Sequence, residues 1–86
     1  MIDYLQKANH YFAKGNENFA NGDYLNSIKD LIYAEQIFST HGNNENAANS
    51  LYILSIVYSK IGQLDQSFKI TKQAYFAFKN LKDNEK

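Results

Sequence analysis

Apolar positions along the chain fall into four groups, and in the first they are spaced in alternating steps of three and four. Leu5, Ala8, Phe12, Gly15 and Phe19 draw one stripe, widened by Tyr4 and Tyr11, and predict a helix over about Asp3 to Ala20. Gly15 inside that stripe costs about 1 kcal/mol against alanine in a helix interior, so the pattern predicts close approach of a neighbour there. Asn21 and Gly22 end the helix, and Asp23 is placed to cap the next one. The second helix, to about Ser39, turns Tyr24, Ile28, Leu31, Ala34 and Phe38 inward with Leu25 and Ile32 alongside, and sets Tyr33 and Ile37 on another face. Thr40 to Asn46 reads as a polar linker, with Asn43 or Asn44 as cap. The third helix, about Glu45 to Lys60, leaves only Ser55 polar between Leu51 and Tyr58, which predicts the centre of the domain. The fourth, about Leu64 to Leu81, is expected to carry Leu64, Phe68, Thr71, Ala74, Tyr75, Phe78 and Leu81 inward. Phe76 lies opposite among Lys69, Lys72 and Lys79, and a frayed charged tail runs from Lys82 to Lys86.

The pattern is also written twice. At an offset of forty residues Tyr11 is echoed by Leu51, Gly15 by Ser55, Gly22 by Gly62, Ser27 by Ser67, Ala34 by Ala74 and Phe38 by Phe78. A fixed offset that keeps small, apolar and glycine positions in register marks a repeat architecture. Proline is absent and glycine occurs only at 15, 22, 42 and 62. The expectation is therefore an all-α chain of four helices forming two helix-turn-helix units, at about 4–40 and 45–81, in one domain spanning 1–86.

Composition narrows the function. Nine lysines balance nine acidic residues and arginine is absent. That argues against nucleic acid, where phosphate neutralisation and guanine recognition lean on a basic surplus and on arginine. Without cysteine there is no disulfide, thiol nucleophile or thiolate metal site. Met1 to Phe12 lacks the basic-then-apolar form of a secretory signal, and Leu51 to Tyr58 is far short of the roughly 20 residues a membrane span needs. A cytoplasmic protein that does not enter membranes is expected.

Paired helices, a Gly-Asp-Tyr turn and a small residue at each crossing resemble the tetratricopeptide repeat, whose motif runs W-x2-L-G-x2-Y, then A-x3-F, then P. In the first unit those positions hold Tyr11, Lys14, Gly15 and Asn18, then Ser27 and Leu31, with Ser39 for the proline. In the second they hold Leu51, Leu54, Ser55 and Tyr58, then Ser67 and Thr71, with Lys79 for the proline. Lys14 and Asn18 depart from the family's apolar positions, and Gly42 to Ala47 is expected to absorb the extra length over the usual period. The resemblance implies a right-handed superhelical array that binds a partner's peptide or helix in a groove. Carried over by position, that groove would be lined by Asn9, Phe12, Asn16, Phe19, Asn49, Tyr52, Ile56 and Lys60. The plainer reading of Phe12, Phe19, Tyr52 and Ile56 is core between helices one and three. Phe12 and Ile53 stand where a lysine and an asparagine would clamp a terminal carboxylate, which disfavours that mode.

No catalytic constellation emerges, and no cofactor or metal is expected. His10 and His41 have no acidic residue at helical spacing, and Glu35 reads as an edge-of-core carboxylate whose counterpart in the second unit is Tyr75. Repeat arrays generally end in a helix with a polar outer face. Helix four instead spreads Ile70, Tyr75 and Phe76 over a wide arc, which predicts an oligomer or partner face there, joined by one face of helix two. The function that follows is a small adaptor, chaperone or regulator that is not an enzyme and binds another protein or peptide. The alternative is a self-assembling module, a homo-oligomer such as a dimer, built through its uncapped terminal helix.

Overall fold

The computed structural model describes residues 3–84, and the last residues of the expected tail, Glu85 and Lys86, lie outside that range. Four helices follow one another: α1 Tyr4–Ala20, α2 Tyr24–Thr40, α3 Asn44–Lys60 and α4 Leu64–Asp83. Each packs on its sequence neighbour, as a helical-repeat arrangement requires, and α3 touches both α2 and α4. Expected and observed helices agree to within two residues at each end.

The turns explain the regularity. Gly22, Gly42 and Gly62 all have left-handed backbone, with φ of 80°, 75° and 80°. At each, the glycine N–H donates three residues back and the following N–H five residues back. Asp23 reaches the Asn18 carbonyl at 2.8 Å, Asn43 the Phe38 carbonyl at 2.8 Å and Gln63 the Tyr58 carbonyl at 3.0 Å. This paired closure satisfies the last free carbonyls of a helix and reverses the chain. A 17-residue helix and the same three-residue turn thus recur through the first three helices. The long polar linker expected over Thr40 to Asn46 is therefore corrected to a tight turn at 41–43. The extra length of the forty-residue repeat goes into longer helices, since α2 runs on to Thr40 and α3 starts at Asn44.

Capping is uneven. Asp3 accepts from the Leu5 N–H at 3.2 Å, and Asp23 holds Asn26 through the Asn26 side-chain amide at 2.7 Å. Asn43 occupies the cap of α3, as expected for that pair, but its side chain makes no cap bond.

Inside each unit the crossing helices meet at small residues. Gly15 is buried, and a Cβ built on it would stand 2.6 Å from Leu31 Cγ, which is the close approach the sequence predicts. The Ser27 hydroxyl donates to the Gly15 carbonyl at 2.8 Å, and forty residues later the Ser67 hydroxyl donates to the Ser55 carbonyl at 2.8 Å. One interhelical bond is thus built twice in register. Asn18, out of character for its repeat position, donates to Asp30 at 2.8 Å and ties α1 to α2 through a polar contact.

Two buried clusters form the core. Ala8, Ala34, Phe38 and Ala47 make one, and Leu31, Leu54, Val57 and Ile70 make the other, with Phe12 packed against both. Leu31 and Phe38 of α2 are covered from two directions. Gly15 and Phe12 approach from α1, while Leu54, Val57 and Ala47 of α3 share their clusters. Leu25 and Ile32, expected beside the inner stripe, are exposed.

Candidate partner-binding surface

α4 turns its smaller residues to α3. Apart from Gln66, its buried or half-buried positions are Ser67, Ile70, Ala74, Ala77 and Leu81, spaced three and four apart. The inward set expected from sequence is therefore largely reversed. Leu64 and Phe68 are 66% and 67% exposed, and Thr71, Tyr75 and Phe78 also face outward. Ile70, expected on the partner face with Tyr75 and Phe76, is instead buried with Leu31, Leu54 and Val57. The cause lies in the close crossing, since Ser67 and Ala74 let α4 approach α3 until Ser67 bonds the Ser55 carbonyl. The larger side chains are left on the far side of the helix.

That outer side is apolar with a basic edge. The Tyr75 ring meets Phe76 edge-on at 5.3 Å between centroids, and Lys72 Nζ lies 5.8 Å from the centre of the Phe68 ring. Two shallow hollows interrupt it. One of about 470 Å³ lies among Tyr75, Phe78, Lys79, Lys82 and Asp83, and one of about 340 Å³ among Phe68, Lys69, Lys72, Gln73 and Phe76. Apolar floors of this kind gain free energy when covered, and lysines at a rim favour negative charge nearby. A second exposed apolar patch, Leu25, Ile32 and Tyr33, runs along α2 beside the half-buried Ile28.

The groove implied by the family resemblance is only partly available. Phe12 packs against both buried clusters and Phe19 against the second, so these two hold helices together. Asn9, Tyr52 and Lys60 are exposed, and Asn16, Asn49 and Ile56 are half-buried. Phe12 and Tyr52 occupy the same repeat position yet differ, because Phe12 meets Phe38 edge-on at 6.4 Å while Tyr52 stands in solvent.

One feature escaped the sequence. Glu35 and Ser39 of α2, Asn44 and Leu51 of α3, and Asn80 and Leu81 of α4 border a cleft of about 320 Å³. Its floor is small because Ala47, Ala48 and Ala77 come together from two helices, a coincidence that no single helix pattern reveals. Burial in this cleft pushes the Glu35 carboxyl above the ordinary 4.5, and the nearby Ser39 hydroxyl offsets part of the rise. A raised folded-state value means stability is lost as pH climbs past the ordinary glutamate range. Glu35→Gln is therefore expected to melt slightly above the parent at pH 7 and level with it below pH 4.5. Thermal melts of both proteins at the two pH values check this.

His41 stacks on Tyr4 with centroids 4.0 Å apart, a packing role. Among the described residues no three His, Cys, Asp or Glu side chains gather where a metal ion would sit, and no helix is long and apolar enough to cross a membrane. The class the fold defines is an all-α chain of adjacent helix pairs. Compared with protein-family models, with curated proteins and with solved structures, the chain matches none.

Proposed function

We propose that this chain is a cytoplasmic protein–protein interaction module of tetratricopeptide type, without a catalytic step of its own. The observation that carries the reading is the outer side of α4, where Leu64, Phe68, Tyr75 and Phe76 are each more than half exposed on one helix. Contiguous apolar surface of that kind marks an interface. The repeat-type architecture is supported by the Ser27–Gly15 and Ser67–Ser55 bonds at one offset and by the three identical turns.

A photo-crosslinking residue at Phe76, compared with one at the exposed Lys14, tests the reading in cells. A discrete adduct from position 76 and none from position 14 is expected. Adducts from neither position would sink it. Light scattering over a range of concentrations separates the two forms of the reading. A constant mass of 9.9 kDa leaves the face to a foreign partner, whereas a doubled mass makes self-assembly the function.

A further inference from the structure

We propose that the outer stripe of α4 seats an acidic amphipathic helix from another protein, packed on α4 in the way that α3 packs on α2. This rests on the interaction-module reading and specifies its partner. The stripe Leu64, Phe68, Thr71, Tyr75 and Phe78 is the forty-residue counterpart of Tyr24, Ile28, Leu31, Glu35 and Phe38. In α2 that side is covered: Leu31 and Phe38 are fully buried, and Tyr24 and Ile28 half-buried, in clusters that include Ala47, Leu54 and Val57 of α3. The fold thus already shows what lies on such a stripe, and it is a helix with small and aliphatic residues along its seam.

A second copy of this chain does not fit. Forty residues before Ala47, Leu54 and Val57, α1 carries Lys7, Lys14 and Glu17, all exposed, so its outward side offers three charges where a seam needs apolar atoms. Head-to-tail stacking of α1 onto α4 would bury them unpaired. Pairing α4 with itself fails on charge, because the helix holds four lysines against two aspartates. An antiparallel two-fold pair would bring the edge with Lys72 and Lys79 of both copies to one side of the seam, where like charges repel.

Charge instead selects the occupant. Lys72 and Lys79 border the stripe at positions where α2 has Ile32 and Ser39, and Lys82 matches Gly42 in the turn after it, so this basic edge belongs to α4 alone. Glutamates flanking the seam of an incoming helix would meet it, and would draw Lys72 from its place over the Phe68 ring. Lysine edges of this kind set orientation and partner choice while aromatic burial supplies affinity.

Two synthetic 17-residue peptides test this against the intact chain. Both keep the α3 seam residues at their spacing in Asn44–Lys60, one with glutamate and the other with lysine at the remaining positions. Amide signals of the isotopically labelled protein report where each binds. The glutamate peptide is expected to shift signals along Leu64 to Lys82, with the lysine peptide at least about tenfold weaker. Phe68→Ser combined with Tyr75→Ser should weaken the glutamate peptide about tenfold while leaving the melting temperature unchanged, since both rings are exposed. Equal binding of the two peptides overturns the proposal. Shifts confined to Asn9, Asn16, Asn49 and Tyr52 also overturn it, but leave the interaction-module reading standing on the groove. A dimer that the serine variants dissolve, seen without peptide, overturns it in favour of a second copy. Silence at every surface overturns it as well, and the broader reading then stands or falls on the crosslinks at Phe76.

Discussion

Gly15→Ala is expected to destabilise the domain although alanine is the better helix former, and Gly15→Val is expected to do so more severely. The added Cβ would lie 2.6 Å from Leu31 Cγ and 2.8 Å from its Cδ2. Leu31 is fully buried between α1 and α3, so it has no free rotamer into which to retreat. Overpacking of this kind costs about 1–3 kcal/mol, against about 1 kcal/mol regained in helix propensity. The alanine variant should lose up to about 2 kcal/mol, with roughly 4–8 °C in melting temperature for each kcal/mol in a domain this size. Valine adds two methyl groups in the same place and should lose about 3 kcal/mol. The clash makes a further claim that a double-mutant cycle reads. Leu31→Ala placed on Gly15→Ala should cost less than the sum of the two, because it removes the atoms in conflict. Gly22 provides the contrast. Nothing lies within 4 Å of a Cβ built there, but its φ of 80° strains any other residue, by about 1–2 kcal/mol for alanine. Strict additivity of the Gly15 and Leu31 variants would show that the helices do not cross where the structure places them.

Gly15 was legible because a glycine within a three-and-four stripe has few explanations other than close approach. The four helices and their order were legible for a similar reason, since each is an apolar group of its own and the first three end in Asn-Gly, His-Gly and Ile-Gly. What covers each face was not legible. A stripe such as Leu64, Phe68, Tyr75 and Phe78 announces that the helix has an apolar side, and the repeat offset equates that side with the buried one of α2. Burial, however, depends on the next helix along the array. Ile70 was misplaced by the same limit, because its counterpart in the first unit is Asp30, which bonds Asn18 at the rim of the α1–α2 contact. A polar contact in one unit and a buried aliphatic in the other occupy one register position, and only the packing distinguishes them. The Glu35 cleft was hidden for a related reason, as its walls come from three different helices.

Phe38→Ala and Phe78→Ala, identical changes at one repeat position, are expected to differ severalfold in cost. Phe38 is 1% exposed, edge-on to Phe12 and clustered with Ala8, Ala34 and Ala47. Its truncation leaves a closed void walled by small residues that cannot collapse to fill it, at about 3–5 kcal/mol. A chain of 86 residues has roughly 4–13 kcal/mol of stability in total, so that single change removes a large share of it. Phe78 is 37% exposed and lines an open hollow beside Tyr75 and Lys79. Water enters the space its ring would vacate, and only the apolar area still covered is lost, about 1 kcal/mol. Urea unfolding at low protein concentration measures both, with an unchanged slope confirming that the same cooperative transition is compared. The asymmetry is a direct reading of which stripe is covered. Should Phe78→Ala cost as much as Phe38→Ala in the purified protein, the outer side of α4 would already be buried. The only molecule present to bury it would be another copy of the chain. If the costs separate as expected, Phe78 should regain importance when the glutamate peptide is bound, with its truncation appearing as lost affinity instead of lost stability. The ring at position 78 would then do for a partner helix what the ring at position 38 does for α3.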